Sequence, residues 1–191
     1  MLAFLADCSI ERQLEFRIVT QCAPVLKGKK VSNLITVKPG QWHQVRRYLK
    51  GTRIVCALVY ADKDKEVLFL YRFSMLEEHL KKPEVRRFLA LNGYLDMSVA
   101  AVFIRLRRRY QRYAGGHEEF PHELGVLLEY PVADVEGFIC NKGQNCLMER
   151  YWKVYHDLEE AQRRFRIYDE AREDAMEEIL AGYPLLQVAI S

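Results

Sequence analysis

The chain has 191 residues, 50% of them apolar and 29% charged, with a formal net charge of +3. This is the composition of a globular chain rather than a disordered one, and the length suits one domain spanning residues 1–191. So mild a charge gives no reason to invoke nucleic acid, and no window approaches the roughly 18 uninterrupted apolar residues of a membrane span.

The opening "MLAFLADCSIERQ" is apolar at first but lacks a basic n-region, and Asp7 and Glu11 arrive too early for a signal peptide. Residues 9–20 place Ile10, Leu14 and Ile18 at helical spacing behind Ser9 as N-cap. Pro24 and Gly28 are expected to break that helix before a short strand, "NLITV", at 33–37. "QWHQVRRYLKG" reads as a second helix ending at Gly51. "RIVCALVY" and "EVLFLYRF", separated by the charged turn "ADKDK", predict an antiparallel hairpin near 53–73. Both runs are nearly continuous in apolar residues, so the hairpin is expected to be central and covered on both faces.

Helices dominate thereafter. Ser74 and Glu77 suggest a capping box for "SMLEEHLKK", and Pro83 opens "PEVRRFLALNGY". "MSVAAVFIRLRRRYQRY" carries Val99, Val102, Phe103, Leu106, Tyr110 and Tyr113 on one stripe. Pro121 starts a helix that Tyr130-Pro131 ends, "VADVEGFIC" forms another, and a short strand near 151–155 precedes a long helix over 157–181. The expected fold is α+β: a small antiparallel sheet packed with about seven helices.

Candidate chemistry is concentrated in two places. In "HEEFPHE" the histidines His117 and His122 are five residues apart with a proline between them, whereas a metalloprotease helix needs a spacing of four. Cys140 and Cys146 lack the second pair that would complete four zinc ligands, so no metal site is expected. Cys22 lies close in sequence to Lys27, Lys29 and Lys30, which favour a thiolate. His122 is its candidate base, with Glu123 or Glu119 to orient the imidazole. The turn "NKGQN" offers Lys142 and the backbone at Gly143 to an anion, although neither a P-loop nor a G-x-G-x-x-G pattern is present. Arg105, Arg107, Arg108, Arg109 and Arg112 crowd one helix with Tyr110 and Tyr113, a combination able to grip phosphates and stack bases. The five cysteines, Cys8, Cys22, Cys56, Cys140 and Cys146, are too scattered for a disulfide framework and point to a reducing, cytoplasmic setting.

"CAPVLKGKKVSNL", "LYRFSMLEEHL", "FPHELGVLLEYPVADVEGFICNKG" and "YWKVYHD" occur in this order. Together they resemble a family of small bacterial proteins known as domain of unknown function 3793. The resemblance runs over roughly residues 14–170 and is most specific over 120–155. It implies that Cys22, Pro24, Gly28, His122, Glu123, Gly125, Tyr130 and Pro131 are family positions. Asp134, Gly137, Phe138, Lys142, Gly143, Tyr151, Trp152, Lys153 and Tyr155 are implied likewise. The chain departs from the family pattern at Val25 and Lys27, and at Glu129 and Arg150, where the family has glycine.

These residue types suit a pocket for a small polar or anionic ligand, with Lys142, Gly143, Tyr151 and Lys153 as its binding set. Cys22, His122 and Glu123 add thiol or acyl chemistry to that reading. The alternative is a non-enzymatic protein- or nucleic-acid-interaction module built on the Arg-rich helix 99–113 and the apolar tail "PLLQVAI".

Overall fold

The computed structural model describes residues 9–189. Cys8, the start of the N-terminal apolar segment, and Ile190 of the tail lie outside that range. The architecture is α+β, with three layers around a three-stranded antiparallel sheet of order β1-β3-β2. Its strands are β1 (Ser32–Val37), β2 (Ile54–Ala61) and β3 (Glu66–Arg72).

β3 decides how the layers form. Side chains alternate across a strand, so Val67, Phe69 and Tyr71 point to one face and Leu68 and Leu70 to the other, all five buried. The first face packs against α3 (Phe73–Lys81), α4 (Pro83–Leu91), α5 (Val99–Ala114), α6 (Glu123–Leu127) and α7 (Val132–Cys140). The second packs against α1 (Ile10–Leu26), α2 (Gln41–Tyr48), the end of α8 (Leu158–Leu180) and α9 (Leu185–Val188). Burying each such Val, Leu or Phe contributes about 1.5–3 kcal/mol. Only β3 of the expected hairpin is central. β2 is an edge strand, with Val55 exposed, because β1 occupies the other side of β3.

Three local expectations change for physical reasons. α1 does not break at Pro24 but runs on to Leu26. Its last carbonyls are satisfied from outside the helix: Lys29 and Lys30 N–H donate to Pro24, and the Arg72 guanidinium donates to Val25 and Leu26 at 2.8 and 2.5 Å. The helix then stops at Gly28, whose φ of +67° suits glycine. At α3, strand β3 feeds straight into the helix, so Ser74 lies inside the first turn and makes no cap. The strand expected near 151–155 is only Lys153–Val154 (β5), and it pairs with Met148–Glu149 (β4) in a separate ribbon instead of joining the main sheet.

That ribbon covers a third cluster, in which Trp152 and Val154 pack on Ala161, Phe165 and Tyr168 of α8. Asp157 caps α8 by accepting from Glu160 N–H at 3.0 Å, and Glu159 and Glu160 suit the positive end of its dipole. α8 therefore joins the ribbon at its start to α1 at its end. Among the described residues there are nine helices, none long and apolar enough to cross a membrane.

Candidate functional site

The stretch from Phe120 to Gly143 folds into the short α6, a reversal, α7 and a turn, and a cavity opens beside it. Two glycines permit this close assembly. A Cβ on Gly125 would stand 3.0 Å from the Val135 side chain and 3.3 Å from the Tyr130 ring, so any larger residue would push these neighbours aside where α6 meets α7. A Cβ on Gly137 would sit 2.6 Å from the Tyr155 Cβ, so glycine also lets α7 approach the ribbon. Between the helices the chain reverses at Glu129, with φ +67°. Glutamate is strained there, in a conformation that glycine adopts freely. The resemblance implied glycine at this position, and the backbone keeps the conformation glycine would favour. The Glu129 carboxylate instead accepts from Val31 N–H at 2.8 Å and faces Arg164 at 3.3 Å.

Asp134 fastens the assembly. Its side chain is buried, and its oxygens accept from the Trp152 indole N–H at 2.7 Å and from the backbone N–H groups of Tyr155 and His156 at 2.8 and 3.0 Å. One carboxylate thus ties α7 to the chain around β5. Trp152, held in this way, stacks on Tyr130 with ring centres 5.4 Å apart and meets Phe165 edge-on.

The cavity has a volume of about 400 Å³. Tyr130, Phe138, Trp152 and Phe120 provide aromatic wall, with Leu34, Leu124 and Leu128 closing it. His122 stands in the wall between Phe120 and Phe138, with ring centres 5.7 and 5.6 Å away. Its imidazole makes no hydrogen bond to protein among the described residues, so both ring nitrogens are available to a guest. Lys153 also lines the cavity, and its ammonium donates to the Gly143 carbonyl at 2.9 Å. Gly143, with φ +73°, lies under the Phe138 ring, 3.1 Å from where a Cβ would stand.

The structure thus gathers His122, Tyr151 and Lys153 around one cavity, with Gly143 beside it. Tyr151 donates its hydroxyl to Asp169 at 2.9 Å, and burial with that carboxylate pushes the phenol up to about 12. Lys142 is exposed on the outer turn. Cys22 and Glu123 are placed elsewhere. Cys22 has no exposure and belongs to the core on the second face of the sheet. Burial pushes its thiol up to about 11, against a weaker lowering by the Asn33 amide. Glu123 is fully buried and turned toward α5, accepting from Arg109 at 2.9 Å and Tyr94 at 3.2 Å.

The arginines of α5 are largely engaged as well. Arg105 donates to the Asn92 carbonyl, and Arg109 and Arg112 pair with Glu118, while Arg107 and Arg108 are exposed. Among the described residues no group of three His, Cys, Asp or Glu side chains converges as metal ligands.

Composition and motif spacing do not reveal the residue behind the Tyr130–Trp152 pair. Lys30 is buried, with its ammonium 5.3 Å from the Tyr130 ring centre, 5.8 Å from that of Tyr168, and 3.0 Å from the Asn33 amide oxygen. Within "KGKK" it looks like any solvated turn lysine. Desolvation lowers its pKa from 10.5 to about 8, with the Glu129 carboxylate and the Cys22 thiol opposing the shift and Arg164 adding to it. The unfolded chain therefore holds this proton to higher pH than the folded one, and stability should rise as pH passes upward through 8. Relative to Lys30→Met, the parent should gain about 1 kcal/mol between pH 7 and pH 9, measured by urea unfolding. A constant difference between the two across that range would contradict this assignment. Above pH 9 the raised Cys22 thiol works in the opposite direction.

No curated protein and no solved structure matches the chain. A family model does, over residues 18–189, including every element that shapes the cavity. The chain belongs to the family described as protein of unknown function (DUF3793).

Proposed function

We propose that the protein binds a small organic molecule in this cavity. A flat apolar body would rest against Tyr130, Phe138 and Trp152, and an anionic or hydrogen-bonding end would meet His122 and Lys153. The observation that carries this reading is His122, a polar ring without a protein partner set in an otherwise aromatic wall. Ligand sites have this composition: mostly apolar surface with a few convergent polar groups. The volume is in the range for a metabolite-sized guest. Cys22 has no part in this reading, because it is buried in another part of the core and its thiol resists ionisation. The unpaired Cys22, Cys56, Cys140 and Cys146 support a reducing, cytoplasmic setting.

The test uses a panel of aromatic carboxylates, read by ligand-observed NMR and by Trp152 fluorescence in a Trp42→Phe background. At least one compound should bind saturably. His122→Ala should weaken it about tenfold, the worth of a charge-assisted hydrogen bond, while leaving the melting temperature nearly unchanged. An affinity unaffected by His122→Ala, or no saturable binding by any member of the panel, would refute the proposal.

A further inference from the structure

A second concavity, of about 370 Å³, lies on the opposite side of the sheet from α5, between the end of α1 and the start of β2. Three cationic side chains line it: Lys27, Arg53 and Arg72. Lys27 already has a partner in Glu178, at 2.7 Å. Arg72 uses Nε and Nη2 on the carbonyls of Val25 and Leu26, which leaves the other edge of its guanidinium free. Arg53 is exposed and makes no ion pair or hydrogen bond with the described residues.

Both arginines line this hollow, at the adjoining ends of β2 and β3. Ile54 pairs with Arg72 across the sheet, and Arg53 immediately precedes Ile54. Among the described residues the lining of the hollow includes no carboxylate, and burial together with the nearby Arg53 charge lowers the Arg72 pKa. Gly28 and Gly51 in the flanking turns both adopt positive φ, and a Cβ added to Gly28 would stand 3.5 Å from the Arg72 Cζ, so the guanidinium lies over this turn. The backbone N–H of Gly51 at this rim has no acceptor among the described residues. Forked donors, an unpartnered amide and net positive charge in a concave site are the chemistry that recognises a phosphate group.

We propose that this concavity binds the phosphate group of a small phosphorylated molecule, with Arg53 and Arg72 gripping its oxygens. Lys27 is paired with Glu178 at the rim, so the positive charge offered to a ligand is that of the two arginines. The site is separate from the aromatic cavity and shares no lining residue with it.

The probes are inorganic phosphate and glycerol 3-phosphate, titrated calorimetrically at constant ionic strength. The parent should bind one equivalent saturably. Arg53→Gln should weaken binding about tenfold, and Arg53→Lys, which keeps the charge but loses the fork, should fall between the two. Because Arg53 makes no internal bond, these variants should fold as the parent does. Arg107→Gln on α5 and His122→Ala in the aromatic cavity should bind phosphate as the parent does. Absence of saturable binding in the parent, or equal weakening by Arg53→Gln and Arg107→Gln, would overturn the proposal. Neither result bears on the aromatic cavity, which is tested with different probes and residues.

Discussion

Replacing Asp134 with alanine is expected to cost about 3–5 kcal/mol of stability, a large share of the 5–15 kcal/mol typical of a native protein. Three N–H donors, from Trp152, Tyr155 and His156, would lose their acceptor together, and the buried indole donor has nowhere else to turn. Asp134→Asn should cost less, about 2 kcal/mol, because one amide oxygen can still accept on one side. Its NH₂ group must then face either the indole N–H or the two backbone N–H groups, donor against donor. The same substitutions should loosen Trp152 from Tyr130 and dismantle the wall of the cavity. Urea unfolding together with Trp152 fluorescence in the Trp42→Phe background would report both effects. If Asp134→Asn is as stable as the parent and its Trp152 emission is unshifted, the carboxylate is not the fastener described here.

Arg109→Ala should cost about 3 kcal/mol, because it strands a buried carboxylate. Glu123 has 1% side-chain exposure, and one of its oxygens already lacks a partner. Without Arg109, only the Tyr94 hydroxyl would face it. Adding Glu123→Gln to Arg109→Ala should recover part of the loss, since a buried amide is less costly than a buried unpaired charge. This double-mutant cycle also separates the two roles open to Glu123. A residue that orients His122 for binding would change ligand affinity when altered. A residue that locks α5 to α6 would change stability and leave affinity intact, and the geometry favours the lock. A pair of additive, individually small effects would count against it.

Residues of the candidate site divide along the same line. His122, Tyr151, Lys153 and Gly143 come together because α6, α7 and β5 fold within one continuous run of about thirty residues, where local turns at Glu129 and Gly143 set the geometry. Cys22 stands about a hundred residues from His122 in sequence, and proximity of lysines along the chain said nothing about burial. Its position is set by α1 packing against β1 and α8, which removes the thiol from water.

Much of the secondary structure was legible because its causes are local. The β-branched and aromatic runs of β2 and β3, Ser9 capping α1, Pro83 at the start of α4 and the apolar positions of α8 each act within a few residues. The α+β class follows from their order, and the family from the spacing of four motifs. Tertiary structure alone decided which apolar face covers which. It made β2 an edge, carried α1 past Pro24 by lending it Arg72, and set β5 apart from the main sheet. It also decided the state of the charged groups. Lys30 looks like a solvated turn lysine in the sequence and Glu123 like a carboxylate that orients His122, and both are buried because partners distant in the chain, Tyr130 and Tyr168 for one and Arg109 and Tyr94 for the other, surround them. Periodicity reports that a face is apolar, whereas burial and pairing of a charge depend on which distant side chains arrive to meet it.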